Sequence, residues 1–207
     1  MFDYLCYEPG DSYLPIRILD AAPCSKRFDI YLSGLMISKN LTRKKYTPYL
    51  AVPPGPHEIK ALAPNTMISK NLLLEVNFIY TVCITGCGEL EFLLVYDMKP
   101  ALQRGKANIR LANLVPDIGG VDASVSGHAL MFTNIGYRYV TEYTPSEEGK
   151  CRINICRTGT GGSIHCLPDV TLKPEWDYTL YLMPGIKENL RVNSILLLDG
   201  GTYLNPK

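Results

Sequence analysis

Charge of a single sign is the first thing that this sequence lacks. The chain carries 21 basic and 20 acidic side chains, and its net charge is +1 at pH 7. Without a positive field to gather phosphates, nucleic acid is not expected as a partner. Hydrophobic residues make up 46% and charged residues 20% of the chain, values that exclude a disordered protein.

Long apolar runs are also missing. Runs such as Ile195 to Leu198 are far shorter than the roughly 20 residues that a membrane-spanning helix needs. Asp3 and Glu8 stand where a secretory signal would carry Lys or Arg. We therefore expect no membrane insertion and, in the absence of a signal peptide, a cytoplasmic protein.

Cysteine and histidine do not have the spacings of a metal site. The seven cysteines and three histidines form no paired CxxC set. His165 is adjacent to Cys166, so on a strand the two side chains point to opposite faces. Neither a metal nor a cofactor is predicted. If the stretch "RTGTGGS" turns a hairpin, Cys156 and Cys166 lie nearly opposite each other, and oxidation could join them.

Signatures of catalysis are equally scarce. Ser163 and His165 share a strand face, but the chain contains neither GxSxG nor an equivalent nucleophile elbow. The glycine-rich "TGTGG" lacks the lysine and the helix of a phosphate-binding loop. His57 and His128 are isolated in the sequence. We predict that the chain is not an enzyme and has no catalytic residue.

What the chain does have is an internal duplication. The stretch "IRILDAAPCSKRFDIYLSG" at 16–34 matches "IRLANLVPDIGGVDASVSG" at 109–127 without a gap. Farther along, a Tyr-Thr pair and an apolar stretch ending in Asp recur in both halves. The predicted organisation is an aromatic arm at 1–13, a first repeat at 14–98, a linker at 99–106 and a second repeat at 107–207.

The hexapeptide "MISKNL" occurs twice within the first repeat, at 36–41 and at 67–72. Neither copy has a counterpart in the second repeat. Because a motif needed for a function common to both repeats would appear in both, we interpret the two copies as two short strands of similar sequence.

Hydrophobic alternation indicates the fold class. Apolar residues occur at every second position in 28–33 and in 121–126. No stretch sustains helical spacing over the ~10 residues of an ordinary helix. Turn signals separate about seven strand-like runs per repeat. The prediction is an all-β chain of two tandem immunoglobulin-like antiparallel β-sandwich domains.

Tyrosine is the dominant aromatic residue, with 14 tyrosines against five phenylalanines and one tryptophan. Tyrosine suits surfaces that are apolar at one end and wet at the other. Tyr80 and Tyr178, at matching positions, are candidates for the tyrosine corner of a sandwich. Other tyrosines flank a predicted edge strand and are predicted to form an interaction surface: Tyr46, Tyr49, Tyr137, Tyr139 and Tyr143.

The leading stretch carries too many apolar side chains for a solvated tail. We expect an arm that docks on its own domain or on a neighbour through Phe2, Tyr4, Leu5 and Tyr7.

Arg17 and Asp29 lie at polar positions of the alternating pattern, on two predicted strands that are close in sequence. We expect them either to pair across the sheet or to remain solvated, with Arg110 and Asp122 as the second copy.

The duplicated pattern R-x5-P-x5-D-x4-G, followed by a Tyr-Thr strand and a terminal "LLLDG", resembles the bacterial domain of unknown function 4397 family, in the two-copy form of spore-forming Firmicutes. The resemblance implies tandem β-sandwich domains, often on exported or envelope proteins, and no catalytic residue or cofactor. The family commonly has histidine three residues after the arginine. This chain has Asp20 and Asn113 there, so no role of that histidine is carried over.

The leading functional hypothesis is a non-catalytic structural or adhesive protein of a bacterial cell envelope or spore layer, acting through protein-protein contacts or self-association. Family analogy implies a spore or cell-surface destination. The alternative is a soluble binding module for glycans or peptides, through tyrosine-rich strand edges or the interdomain cleft. A pocket lined by convergent tyrosines would favour the binding module, and a broad apolar patch would favour assembly.

Overall fold

The alternating pattern folds into strands along most of the described chain. The computed structural model describes residues 13–97, 100, 104–125, 130–185, 192–202 and 204. The first half forms β1 (Leu14–Asp20), β2 (Arg27–Leu32), β3 (Leu35–Thr42), β4 (Leu50–Val52), β5 (Gly55–Ala63), β6 (Thr66–Leu74), β7 (Tyr80–Cys87) and β8 (Glu89–Tyr96). The second half forms β9 (Lys106–Asn113), β10 (Val121–Val125), β11 (Leu130–Ile135), β12 (Thr144–Glu147), β13 (Gly149–Arg157), β14 (Ser163–Leu172), β15 (Asp177–Pro184) and β16 (Val192–Leu198). A short 3-10 helix, Gly200–Thr202, follows.

Each half contains two four-stranded sheets. In the first half the strand orders are β4-β1-β7-β8 and β3-β2-β5-β6, and in the second they are β12-β9-β15-β16 and β11-β10-β13-β14. We call β4-β1-β7-β8 and β12-β9-β15-β16 the inner sheets and the other two the outer sheets. Because corresponding strands hold corresponding places, the duplication in sequence is also a duplication in structure.

Each half buries its own hydrophobic core between its inner and outer sheet. In the first half, Ile16 and Val82 of the inner sheet pack with Phe28 and Ile59 of the outer sheet. The second half repeats this arrangement with its own cluster of aliphatic side chains, including Ile109 and Leu180. These residues are the apolar members of the period-two pattern.

A third cluster of buried apolar residues comes from both halves. It is formed by the opposite faces of the two inner sheets: Leu19, Ala21, Cys83, Val95, Ala112, Leu114, Tyr181, Met183 and Leu197. The inner strands are therefore covered on both sides, and every residue of β15 is buried. The two inner sheets thus face each other, and the two sandwiches pack through them.

The predicted all-β fold with two tandem sandwiches is confirmed. Two details differ from the prediction. In the part of the chain that the structure describes, each half forms eight strands, whereas about seven were predicted. One pair in each inner sheet is parallel, β1 with β7 and β9 with β15, whereas the remaining strand pairs are antiparallel. The described part of the chain contains no helix long and apolar enough to cross a membrane.

The predicted tyrosine corners have the expected geometry. The hydroxyl of Tyr80 accepts the backbone N–H of Glu75 at 2.9 Å, and the hydroxyl of Tyr178 accepts that of Lys173 at 3.1 Å. In both halves the phenol reaches back five residues to the chain that enters its strand.

The prediction that Cys156 and Cys166 lie nearly opposite each other is wrong. Cys166 is opposite Asn154, and Cys156 is opposite Ser163. Both cysteines are free thiols. The turn between β13 and β14 spans only residues 158–162, so Cys156 faces the first residue of β14 and Cys166 lies three residues farther along that strand.

Candidate functional site

Four charged side chains meet in the interface between the two inner sheets. Arg17 on β1 and Arg110 on β9 are equivalent residues of the duplication, as are Asp97 after β8 and Asp199 after β16. Their side chains are at most 5% exposed. Buried charges of both signs are rare unless each is paired. We call these four residues the interface charge cluster.

Each arginine forms its close ion pair with the aspartate of the opposite half. Arg17 Nη2 lies 2.9 Å from Asp199 Oδ1, and Arg110 Nη2 lies 2.6 Å from Asp97 Oδ1. Within each half, the arginine to aspartate distance is longer, 3.8 Å. The two short ion pairs therefore cross the interface in opposite directions.

Two threonines of the inner sheets hold the guanidinium groups in place through hydrogen bonds. Arg17 Nε donates to Thr81 Oγ1 at 2.8 Å, and Arg110 Nε donates to Thr179 Oγ1 at 2.7 Å. The hydroxyl of Thr81 donates in turn to Asp97 Oδ2 at 2.9 Å. Thr179 Oγ1 likewise donates to the second oxygen of its own half's aspartate. Each threonine thus links the cation and the anion of its own half.

The remaining arginine donors reach backbone carbonyls of the other half. Arg17 Nη1 donates to the carbonyl of Leu198 at 2.7 Å, and Arg110 Nη1 donates to that of Tyr96 at 2.6 Å. These carbonyls lie immediately before the two aspartates. Each guanidinium therefore engages both an aspartate and the strand end that carries it, a planar and specific form of recognition.

Two tyrosines cover the cluster. The Arg17 guanidinium carbon lies 4.7 Å from the centroid of the Tyr49 ring, and that of Arg110 lies 4.5 Å from the centroid of Tyr143. The Tyr49 hydroxyl donates to Asp97, and the Tyr143 hydroxyl donates to Asp199 at 2.7 Å. Stacking and hydrogen bonding together exclude water from the ion pairs.

Burial and neighbouring charge shift the titration of the cluster. Burial opposes the charged form of Arg17, but nearby acidic groups including Asp97 and Asp199 outweigh it and raise the pKa of Arg17 further. Burial, followed by the negative charge of Asp97, raises the pKa of Asp199 to about 6, against opposition from the two arginines. The cluster contains equal numbers of basic and acidic side chains.

Further polar contacts join the two halves. Lys44 Nζ donates to Asn193 Oδ1 at 2.9 Å, and Arg138 forms an ion pair with Glu91. Chemically, the site joins two protein surfaces, because the donors and acceptors of the cluster are directed at each other.

The predicted pairing of Arg17 with Asp29, and of Arg110 with Asp122, is wrong. Both arginines enter the interface, whereas the aspartates lie on the outer sheets. Asp29 Oδ1 accepts the backbone N–H of Asn40 at 2.8 Å, and Asp122 Oδ1 accepts that of Asn134 at 2.8 Å. The alternative expectation, that the arginines stay solvated, is also wrong, since they are 2% and 4% exposed.

In these two hydrogen bonds the asparagine is the residue of unusual conformation. Asn40 and Asn134 both have φ of 53°, a left-handed conformation that asparagine tolerates better than most residues. Each lies in a strand whose register against its neighbour shifts. The repeated Asp of the sequence pattern therefore stabilises a bulge in both outer sheets.

The five tyrosines predicted to form an interaction surface occupy different environments. Tyr46 and Tyr139 are exposed, at 48% and 58%. Tyr137 is half-buried beside the guanidinium of Arg138. Tyr49 and Tyr143 direct their hydroxyls into the interface charge cluster. A contact surface at these positions stays a prediction, with two of the five already engaged inside the chain.

The arm predicted at Phe2, Tyr4, Leu5 and Tyr7 lies outside the described residues, as does much of the predicted linker.

The histidine beside Ser163 in sequence contacts a different serine. His165 Nε2 lies 2.8 Å from Ser194 Oγ, across the seam between β14 and β16. Burial, followed by the charge of Lys44, lowers the pKa of His165. Because Ser194 is 5% exposed, this contact serves packing between the sheets. Among the described residues, no three His, Cys, Asp or Glu side chains are placed to hold a metal ion.

Sequence reasoning missed Thr81, Thr179, Asp97 and Asp199 as members of a site. All four fall in the stretches that recur between the halves. The sequence signal for these four residues was that polar residues recur at matching positions in otherwise apolar strands. A polar residue retained twice in a strand that is buried on both faces indicates a buried partner.

The fold and the interface define a class: a tandem β-sandwich protein whose two repeats are joined by a buried, reciprocal charge cluster. The chain belongs to the family described as "Domain of unknown function (DUF4397)", whose model matches residues 15–124 and 107–198. The two matches correspond to the two halves and overlap at 107–124. No curated protein matches the chain at a significant level.

Proposed function

We propose that this chain is a non-catalytic structural or adhesive protein of a bacterial cell envelope or spore layer, acting through protein-protein contacts. The observation that carries the proposal is the interface charge cluster. Such a cluster holds two sandwiches in one fixed relative orientation, which suits a building block better than a hinged enzyme.

The buried chemistry of the chain supports the non-catalytic part of the proposal. A catalytic centre needs titratable groups that a substrate can approach. The interface cluster is nearly inaccessible, and each of its charges is directed at an opposite charge of the other half. Its aspartates and arginines therefore contribute to cohesion between the halves.

Localisation tests the proposal. A fluorescent fusion of the full chain, followed through growth and sporulation of its source bacterium, is expected to concentrate at the cell or spore surface. The destination follows family analogy with the two-copy proteins of spore-forming Firmicutes. A signal that stays dispersed through the cytoplasm at every stage would contradict the structural role.

One cavity favours a second candidate function, a soluble binding module. It has a volume of about 420 Å³, within the range of ligand sites. Both halves line it: Pro23, Gly86, Gly88, Val115, Pro116, Asp117, Ile118 and Pro184. The described residues of its walls include no aromatic ring for stacking on a sugar, so a peptide with aliphatic and basic side chains fits this chemistry better than a glycan.

Calorimetric titration with short peptides that combine Lys with aliphatic residues tests this second function. Saturable binding is expected to weaken in Asp117→Asn, which removes the carboxylate beside the apolar wall. Equal heats for the natural chain and for Asp117→Asn would speak against the cavity as the site.

A further inference from the structure

The repeated hexapeptide lies at both edges of one sheet. "MISKNL" at 36–41 belongs to β3, and "MISKNL" at 67–72 belongs to β6. The outer sheet of the first half has the order β3-β2-β5-β6, so the two identical segments are its two edge strands. No other described strand pairs with the free side of either one.

The two copies of the hexapeptide also bury and expose the same residues. Ile37 and Ile68 pack against the first core from the edges, and Leu41 and Leu72 belong to that core. The methionines point outward, with Met36 41% and Met67 67% exposed.

Each edge strand exposes a second apolar side chain. Leu35 on β3 is 73% exposed and Leu73 on β6 is 65% exposed. Exposed apolar side chains beside an unpaired strand edge are a known basis for association between sheets. Both edges of the outer sheet therefore offer backbone groups and apolar side chains to a partner.

The direction of the strands makes the two edges complementary. Neighbouring strands in the order β3-β2-β5-β6 are all antiparallel, so β3 and β6 run in opposite directions. If a second copy is placed beside the first by translation, its β3 lies antiparallel to β6. The contact continues the alternation of the sheet without rotating either molecule.

Lysines on edge strands usually oppose such contacts. Here Lys70 Nζ donates to the carbonyl of Phe92 on β8 at 2.9 Å, so its charge is directed toward the inner sheet. Lys39 remains exposed on β3, where the ladder with β2 has two register shifts. We therefore expect a weak association that strengthens when salt screens the lysines.

The edges of the second outer sheet differ. Its edge strand β14 contains Pro168, which cannot donate a hydrogen bond, and Asp169, which has a φ of 54°. Proline and irregular backbone are devices that block pairing at an edge. Of the two outer sheets, as far as the structure describes them, only that of the first half has two edge strands without proline, and these are the strands that carry the hexapeptide.

We propose that β6 of one copy pairs with β3 of a second copy of this chain and extends the outer sheet of the first half from molecule to molecule. This inference rests on the proposed role in protein-protein contacts and names the partner. The contact is heterologous, because each molecule contributes a different edge. Rows of molecules can therefore grow from it.

Analytical ultracentrifugation over a series of concentrations tests the contact on the full chain. The natural protein is expected to form dimers and larger species as concentration rises. Met36→Lys and Met67→Lys each damage one edge, and each alone is expected to weaken association at least tenfold. Leu130→Lys, at a 53% exposed position on β11, is the matched control and is expected to associate like the natural protein.

Mixing the two variants separates the proposed contact from its alternatives. Met36→Lys keeps an intact β6 and Met67→Lys keeps an intact β3, so their equimolar mixture is expected to form dimers and nothing larger. A variant that dimerises alone through two identical edges would overturn the proposal. So would a natural protein that stays monomeric, although its surface localisation would still leave a structural role through other partners.

Discussion

At the scale of single residues, the interface charge cluster is sensitive to the loss of any one member. The arginines and aspartates are removed from water, and each compensates the others. Buried ion pairs add little to stability compared with apolar packing, but breaking one leaves a charge without compensation. The cluster is therefore better understood as specifying how the halves pack than as supplying most of the stability.

Arg17→Met tests this reasoning. The substitution keeps most of the side-chain volume but leaves Asp97 and Asp199 sharing one arginine. We expect the free energy of unfolding to fall by about 3–5 kcal/mol in urea titrations. Arg27→Met, at an exposed position on β2, is the matched control and should change it by less than about 0.5 kcal/mol. Equal effects of the two substitutions would refute a special role for the buried arginine.

A second residue-scale prediction concerns Asp20, which is fully buried at the end of β1. One carboxylate oxygen accepts the Ala22 N–H at 3.0 Å, and the other has no hydrogen-bond partner in the described structure. Burial raises the pKa of Asp20 to about 6, although the Ala22 N–H and Arg43 oppose the shift. In the second half, the equivalent Asn113 donates its amide to the carbonyl of Ile135.

The pKa of Asp20 is higher in the folded protein than in the unfolded chain. Between about pH 4 and pH 6, the folded protein therefore holds a proton that the unfolded chain has already released. Stability should therefore fall as pH rises through this window, with Asp20 and Asp199 both contributing. Asp20→Asn should flatten this dependence and stabilise the protein by about 1–3 kcal/mol at pH 7. The measurement is urea unfolding at several pH values, and an unchanged slope would contradict it.

At the scale of elements, the tyrosine corner fixes the entry into the central strand of each inner sheet. Tyr80 is fully buried, and its hydroxyl accepts the N–H of Glu75. Tyr80→Phe removes the acceptor and leaves that N–H without its partner, which should cost about 1–2 kcal/mol. Tyr96→Phe, at a 43% exposed position on β8, is the control. Thermal unfolding compares them, and equal midpoints would show that the corner bond is dispensable.

Sequence reasoning was most accurate for the secondary-structure elements. Period-two alternation depends on which side of a strand faces its own sandwich, and this is a local property. It therefore predicted strands, and the duplication predicted two similar sets of them. The pattern failed at Arg17 and Arg110, where a polar side chain was taken to face water. Local alternation cannot report that a second sandwich covers the other face.

The error at Cys156 and Cys166 has a different physical origin. Register across a hairpin depends on which residues close its turn, and in this hairpin Ile155 is opposite His165 and Cys156 is opposite Ser163. Tyr49 and Tyr143 illustrate a third limit. Tyrosine suits an exposed surface and a buried interface equally well. Only the position of the other sandwich determines that these two tyrosines are in the interface.

At the scale of the whole molecule, the third apolar cluster and the charge cluster should make the halves unfold together. Trp176 is the only tryptophan and lies in the second half, so its fluorescence reports on that half, whereas far-UV circular dichroism reports on both. In the natural protein, we expect the two signals to give the same urea midpoint, as for a single cooperative transition.

Leu19→Asp should separate the two signals. Leu19 is fully buried in the third cluster, which is formed by the facing inner sheets and not by either core. A carboxylate there would oppose packing of the halves, because burying an unpaired charge is costly. The fluorescence and dichroism midpoints should then differ. Leu35→Asp, at a 73% exposed position of the same half, should leave them coincident, and coincident midpoints in Leu19→Asp would show that the interface does not couple the two halves.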